Sequence, residues 1–249
     1  MKRALVIRHA RAETLAGNFT SVLRSENFEL EPLNIFDDAP DYRSFQAPPL
    51  EDISLIIALG GPMSANHDYP ALREEREYLG NAMAVGKPVM GICLSAQIMA
   101  QALGSKVEPT GGYQFGLSRL LITEKGAADP VFGKIEVPLA PTLHGDCFST
   151  PKDAVKLAEG YMLCRDGTYR RIDMAFRYND SYAFQFEPQL TLEELKVWNK
   201  EFPEDYELMG DRFDSREESA RNLREFAKFA PYHEAQMREM LLAFLRNVA

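Results

Sequence analysis

"VMGICLSAQIMAQ", residues 89 to 101, runs from a short apolar stretch through a cysteine into a helix-like segment. Gly91, Ile92, Cys93, Leu94 and Ser95 follow the glycine-x-nucleophile-x-small pattern of a nucleophile elbow, in which a sharp strand-to-helix turn lifts the side chain above the sheet edge. A thiol there gains from the helix dipole and nearby amides, which favour thiolate over thiol. The pattern is short, and a buried structural cysteine is the competing reading.

Working outward, "ALVI" (4 to 7), "SLIIALGG" (54 to 61) and "KPVMGIC" (87 to 93) are continuous apolar runs without polar alternation, as expected of strands covered on both faces. Helix-like segments separate them, at 14 to 27 and at 69 to 86, where Pro70 opens the second and Gly86 closes it. Strand, helix, strand, helix predicts an α/β fold with a doubly wound, mostly parallel sheet. From about 105 to 185 shorter β-like pieces, "LSRLLIT" and "SYAFQF", predict a continuation of that sheet plus a small antiparallel layer. The last sixty residues read as helix. Thr191 with Glu194 and Ser215 with Glu218 fit the capping box, with Leu190 and Leu195 as a hydrophobic staple. Met237, Met240, Leu241, Phe244, Leu245 and Val248 form one apolar stripe. With no repeat or linker, residues 1–249 are expected to form a single domain, with 190–249 a helical C-terminal extension packed on it.

Apolar residues make up 45% of the 249 and charged residues 26%, an ordinary soluble composition, while a net charge of -9 argues against a nucleic-acid-binding surface. Three scattered cysteines with no CxxC pair offer neither a disulfide framework nor a zinc site, and four scattered histidines offer no metal cluster. No nucleotide-binding loop is present, so no metal or cofactor is expected. A four-residue apolar run is too short for a signal segment, and no stretch approaches the roughly 20 apolar residues of a membrane span. A cytoplasmic, non-membrane setting is the expectation.

In "ALGGPMSANHDYP" (58 to 70), Gly60 and Gly61 end another predicted strand, where backbone N–H groups can face a developing oxyanion beside the N–H of Leu94. Alone, Gly-Gly-Pro reads as a turn. Together, "LGGPMS" and, about thirty residues on, "GKPVMGICLSAQIMAQALGSKV" resemble the class I glutamine amidotransferases, specifically stand-alone proteins similar to the glutaminase part of GMP synthase. "LVIRHA", "PTLHGDCFSTP", "MAFRYNDSYAFQFEP" and the helical tail extend the resemblance through most of the chain. It implies the flavodoxin-like fold of that family, attack by Cys93 on a carboxamide carbon, oxyanion-hole amides at Gly61 and Leu94, and a glutamine pocket shaped in part by Gln97. It also implies a γ-glutamyl thioester, ammonia release, and a separate synthetase or acceptor enzyme as partner.

The resemblance breaks at Gln185-Phe186-Glu187-Pro188-Gln189, written Gln-Phe-His-Pro-Glu in the family. Both the base and the carboxylate that orients it are replaced. The reference gap between cysteine and glutamate is about 4 pKa units, roughly 6 kcal/mol against proton transfer, and an ionised Glu187 would repel a thiolate. Burial raising Glu187 toward neutrality would restore an acid role, and Gln189 in place of a second carboxylate avoids further repulsion. Thr110-Gly111-Gly112-Tyr113 replaces a Glu-Ile-Gly-Trp-like segment, and Ser95 stands at a usual glycine; Tyr113 is a candidate pocket residue and equally a core or surface tyrosine. His144 is the candidate substitute base, oriented by Asp146; alternatively the two hold a loop by hydrogen bonds. His9 is expected to face the sheet edge, His67 and His233 to be loop and surface residues, and Cys147 and Cys164 to pack. Glu74, Glu75, Glu77, Glu217 and Glu218 read as solvated helix faces.

Three functions fit these residues. The first is an enzyme in which Cys93 acts on an amide or γ-glutamyl-like small molecule with Glu187 as the altered base. The others are an inactive ligand-binding or regulatory module and a conventional glutaminase rescued by His144.

Overall fold

A computed structural model of the chain describes residues 2–38 and 42–247. The three apolar runs become strands. In chain order the elements are β1 (Lys2–Arg8), α1 (Ala16–Ser25), β2 (Phe28–Asn34), β3 (Leu55–Ala58), α2 (Pro70–Ala84), β4 (Val89–Ile92) and α3 (Leu94–Ala102). They are followed by β5 (Val107–Arg119), β6 (Leu121–Ile122), the single turn α4 (Glu124–Ala127), β7 (Leu139–Phe148), β8 (Val155–Leu163), β9 (Tyr169–Tyr178), β10 (Ser181–Phe184), α5 (Leu192–Glu201) and α6 (Ser215–Asn247).

Eight strands form one sheet in the order β2-β1-β3-β4-β10-β9-β8-β6. β2 through β10 run parallel and the rest antiparallel. Ala4 and Val6 pack on one face of the sheet with Phe19 of α1 and Met237, Leu241 and Phe244 of α6. Leu5 and Ile7 pack on the other with Leu72 and Leu79 of α2 and Ile98 of α3. Covering on both faces is the reason these strands read as uninterrupted apolar runs. β5 and β7 form a separate two-stranded antiparallel ribbon. Its register breaks between Pro109 and Gln114, which frees residues 110 to 113 from ladder pairing.

Thr191 caps α5 by accepting the N–H of Glu194, with Leu190 and Leu195 buried in the same cluster. The second expected box is corrected: the carboxylate of Asp214, one residue before Ser215, accepts the N–H groups of Arg216 and Glu217 at 3.0 and 2.9 Å. An ionised aspartate satisfies two orphan amides at once and opposes the positive helix end, which a serine hydroxyl does less well. α6 runs through Pro231, and the stripe Met237, Met240, Leu241, Phe244 and Leu245 is buried. Val248 lies outside the described residues. No helix among the described residues is long and apolar enough to cross a membrane.

Candidate active site

β4 ends in the centre of the sheet, and the chain turns into α3 at Cys93. The turn has φ +49° and ψ −104°, a conformation rare for a residue with a Cβ. Strain of this kind persists only where the surroundings over-determine it. The N–H of Cys93 donates to Phe184 O of β10 at 2.8 Å, and its carbonyl accepts from Gln97 N at 3.2 Å. A Cβ on Gly91 would overlap Met99 Sδ and stand 3.0 Å from Ser95 O, so the helix can leave the strand this sharply only over a glycine. Ser95 is fully buried, and its hydroxyl donates to Leu59 O at 2.7 Å.

Cys93 opens onto a cleft of about 420 Å³. Gly61, Leu94, Gln97, Tyr113, His144 and Arg165 contribute to its walls. Gly61 and Leu94 are in contact range, since a Cβ on Gly61 would reach Leu94 Cδ2 at 2.9 Å. Gln97 donates to Asp146 O and to Gln185 Oε1, both at 3.2 Å, and Gln185 Nε2 approaches the sulfur at 3.8 Å. The freed residues of β5 bring Gly111, Gly112 and Tyr113 to the rim. Burial pushes the Tyr113 hydroxyl well above its usual range, which keeps it a neutral donor.

Glu187 is buried behind the thiol rather than in the cleft wall. It lines a small void with Trp198, Leu143 and Asn222. Gln189 Nε2 donates to Glu187 Oε2 at 2.9 Å. Burial drives the Glu187 carboxyl up to about 7, against the hydrogen bond from Gln189 and the nearby Cys93 thiol, which lower it. Cys93 is raised well above a free thiol, first by burial and then by the charges of Glu187 and Glu13. The Leu94 amide lowers it, so desolvation and two carboxyls outweigh the help at the helix N-terminus. The thiol meanwhile donates to Leu143 O of the ribbon at 3.3 Å.

His144 lies in the cleft wall with both ring nitrogens engaged, Nδ1 against Asp146 O at 2.9 Å and Nε2 against Gln114 Oε1 at 3.2 Å. The carboxylate of Asp146 does not orient the ring; it accepts from Ser64 Oγ at 2.5 Å. Burial lowers His144 to about 4. Cys147 and Cys164 are buried, Cys147 within the apolar core and Cys164 donating to Thr110 O at 3.3 Å.

Two expectations are overturned. Glu75, read as solvated, is 0% exposed. It sits at spacing three from Leu72 and four from Leu79, on the buried stripe of α2. Its carboxylate meets His9 Nε2 at 2.7 Å and Ser95 Oγ at 3.1 Å, while His9 Nδ1 donates to Gly60 O at 2.9 Å. His9 therefore lies under the Gly60-Gly61 turn and ties it to α2. His233, read as a surface residue, is also 0% exposed. It extends the stripe of α6 four residues back from Met237, between Phe226 and Phe229. Burial lowers it to about 3 where it backs the Glu187 and Pro188 backbone, although neither ring nitrogen makes a hydrogen bond of normal geometry.

Glu13, between β1 and α1, was not a sequence candidate. Its Oε2 is buried without a partner. Trp198 Nε1 donates to the adjacent Ala12 O at 3.0 Å. Among the described residues no group of three or more His, Cys, Asp or Glu is placed to hold a metal ion.

Residues 14–202 match the model of the family described as glutamine amidotransferase class-I. A glutamine amidotransferase-like protein of Salmonella typhimurium, YfeJ, is 26% identical over 206 residues, 80% of this chain and 79% of that one. A glutamine-hydrolysing GMP synthase of Mannheimia succiniciproducens is 33% identical over 141 residues, covering 55% of this chain but only 25% of the synthase. The chain thus spans about a quarter of that relative's length. A solved glutamine amidotransferase of Methylobacillus flagellatus shares the fold, with a TM-score of 0.82 and 22% identity over 99% of this chain and 95% of that one. With residues 14–202 matching the family model, the chain belongs to the class I glutamine amidotransferase family.

Proposed function

We propose that this protein is a cysteine enzyme on the amidotransferase scaffold, acting on an amide or γ-glutamyl-like small molecule with Glu187 in place of the usual histidine. The observation that carries this is the buried Glu187 carboxyl, raised to about 7, beside an elbow cysteine that keeps its strained turn. An acid poised near neutrality can both take and return a proton, which an ordinary glutamate cannot. As Sγ bonds to the carbonyl carbon, its proton passes to the Glu187 carboxylate and the carbonyl electron pair moves onto oxygen, facing the N–H groups of Gly61 and Leu94. Collapse breaks the C–N bond, and Glu187 returns the proton to the departing amine. Water or an acceptor nucleophile then cleaves the thioester. The partner in this reading is a synthetase or acceptor enzyme that consumes the product, and the setting is cytoplasmic.

The test is covalent trapping with a chloromethyl ketone analogue of glutamine, read by intact and peptide mass. Cys93 is expected to be labelled selectively, more slowly below pH 7, with Cys93→Ala unlabelled and Glu187→Gln at least about a hundredfold slower, the lower end of what general base catalysis contributes. Labelling of Cys147 or Cys164 at the same rate, or an unchanged rate in Glu187→Gln, overturns the catalytic reading. A second reading, a binding module, is favoured by the burial-raised thiol. It is the outcome if calorimetry detects saturable binding of glutamine or a γ-glutamyl compound with no trapping.

A further inference from the structure

We propose that His9 is a positioning residue for the reaction: its Nδ1–H holds the Gly60 carbonyl and so aims the Gly61 N–H, which belongs to the same peptide unit, at the oxyanion. The inference rests on the reading of Cys93 as a nucleophile and adds a residue that reading does not require.

One peptide carries the geometry. Gly60 O accepts from His9 Nδ1 at 2.9 Å. A carbonyl can only accept, so the imidazole must carry a hydrogen on Nδ1. In a trans peptide the C=O and the following N–H point in opposite directions, and a Gly-Gly unit has no proline to allow otherwise. With its carbonyl held against His9, this unit turns the Gly61 N–H away from the ring. Gly61 lies in the wall of the cleft onto which Cys93 opens, and no group among the described residues accepts its N–H. The packing is close on both sides. A Cβ on Gly61 would stand 2.5 Å from His9 Cβ and 2.9 Å from Leu94 Cδ2, so only a glycine lets the peptide rest on the imidazole. The point where a Gly60 Cβ would stand is 3.3 Å from Cys93 Cβ and 2.9 Å from Glu13 Oε2, so the turn passes directly beside the elbow.

The group that holds His9 is itself fixed. His9 Nε2 meets Glu75 Oε2 at 2.7 Å, and Glu75 Oε1 lies 3.1 Å from Ser95 Oγ, which also donates to Leu59 O at 2.7 Å. All three side chains are buried. The Leu59-Gly60 and Gly60-Gly61 peptides are therefore both fastened by their carbonyls to one chain of side chains, Ser95, Glu75 and His9. Ser95 follows Leu94 in α3, so that chain also ties the turn to the helix that supplies the second oxyanion amide. The serine that stands at a usual glycine thus acts as a strut. Donors locked in this way need no reorganisation when charge develops on the substrate oxygen.

The test uses full-length protein and glutarate semialdehyde, whose aldehyde stands where the carboxamide of glutamine would and which lacks the amino group that would cyclise it. Addition of Sγ to its carbonyl carbon moves the carbonyl electron pair onto oxygen, whereas iodoacetamide loses iodide from a saturated carbon and forms no oxyanion. Aldehyde affinity is read by peptide mass as protection of Cys93 from iodoacetamide. In His9→Gln the amide nitrogen takes the place of Nε2 and offers Gly60 nothing; in His9→Asn it takes the place of Nδ1 and keeps the donor. His9→Gln is expected to weaken aldehyde binding by about tenfold or more, part of the roughly hundredfold or greater loss on deleting an oxyanion donor. Alkylation by iodoacetamide alone is expected to be unchanged, and His9→Asn to restore aldehyde binding. Equal effects on both reagents, unchanged aldehyde affinity in His9→Gln, or no restoration in His9→Asn overturns the proposal. NMR of carbon-13-labelled glycine carbonyls needs no reactivity: the Gly60 carbon is expected to move upfield in His9→Gln and not in His9→Asn. That pattern with no aldehyde addition in the wild type rejects the catalytic reading alone, and addition indifferent to His9 rejects the positioning role alone. If His9→Gln does not fold, the wild type decides: the Gly61 amide proton is expected to move downfield as the aldehyde adds, and a proton that stays in place overturns the proposal.

Discussion

Replacing Glu75 with leucine lowers the stability of the protein by about 2–3 kcal/mol, the cost of leaving the buried His9 Nε2 without its partner. The contacts explain the size. Nδ1 of His9 faces the Gly60 carbonyl, which only accepts, so Nδ1 carries a hydrogen and one further proton bridges Nε2 to Glu75. Leucine removes the far end of that bridge and one of the two acceptors of the Ser95 hydroxyl, with water unable to reach a ring that is 1% exposed. Glu75→Gln keeps the shape and one hydrogen bond, and loses about 1 kcal/mol. Urea unfolding at fixed pH measures both variants; equal loss in the two removes the buried bridge as the explanation. The Gly60-Gly61 turn hangs from the same histidine, so Glu75→Leu also slows trapping at Cys93 wherever it remains folded.

Glu187→Gln changes the pH dependence of stability by about 3 kcal/mol. The native carboxyl titrates at about 7, whereas in the unfolded chain it titrates at about 4.3. Between those values the native state holds a proton that the unfolded state has released, so stability from this group is complete below about pH 4.3 and is lost as pH rises through 7. Two buried histidines oppose it. His144 and His233 are lowered to about 4 and about 3, so the native rings stay neutral where unfolded histidine charges, and stability falls as pH drops below about 6.5. The wild-type curve alone is therefore a compensated sum, and the informative quantity is its difference from Glu187→Gln. That gap is expected to move by about 3 kcal/mol between pH 4.3 and 7.5, against the variant's favour at low pH. Parallel curves over that range would mean Glu187 is not a raised acid.

The sheet was legible because burial on both faces leaves a signature in composition: Leu5 and Ile7 point one way, Ala4 and Val6 the other, and none is polar. The elbow was legible because its geometry demands particular residues, a glycine at 91 and a small side chain at 95. Glu75 was misread because it stands in a run of five charged residues, 73 to 77, which masks the stripe it shares with Leu72 and Leu79. The same periodicity, carried through Pro231, finds His233. Glu13 had no such signal. It belongs to an irregular loop, and only the fold brings that loop to the elbow from eighty residues away in sequence. The ring contacts of His144 likewise depend on a ribbon register that no local pattern encodes.

The chain has one tryptophan. Trp198 bonds to the carbonyl next to Glu13 and borders the void beside Glu187. Its emission responds to local electric field, which makes the protein its own optical indicator. A proton gained or lost in that cluster becomes visible as a colour change of the indole, in dilute solution and with no attached dye.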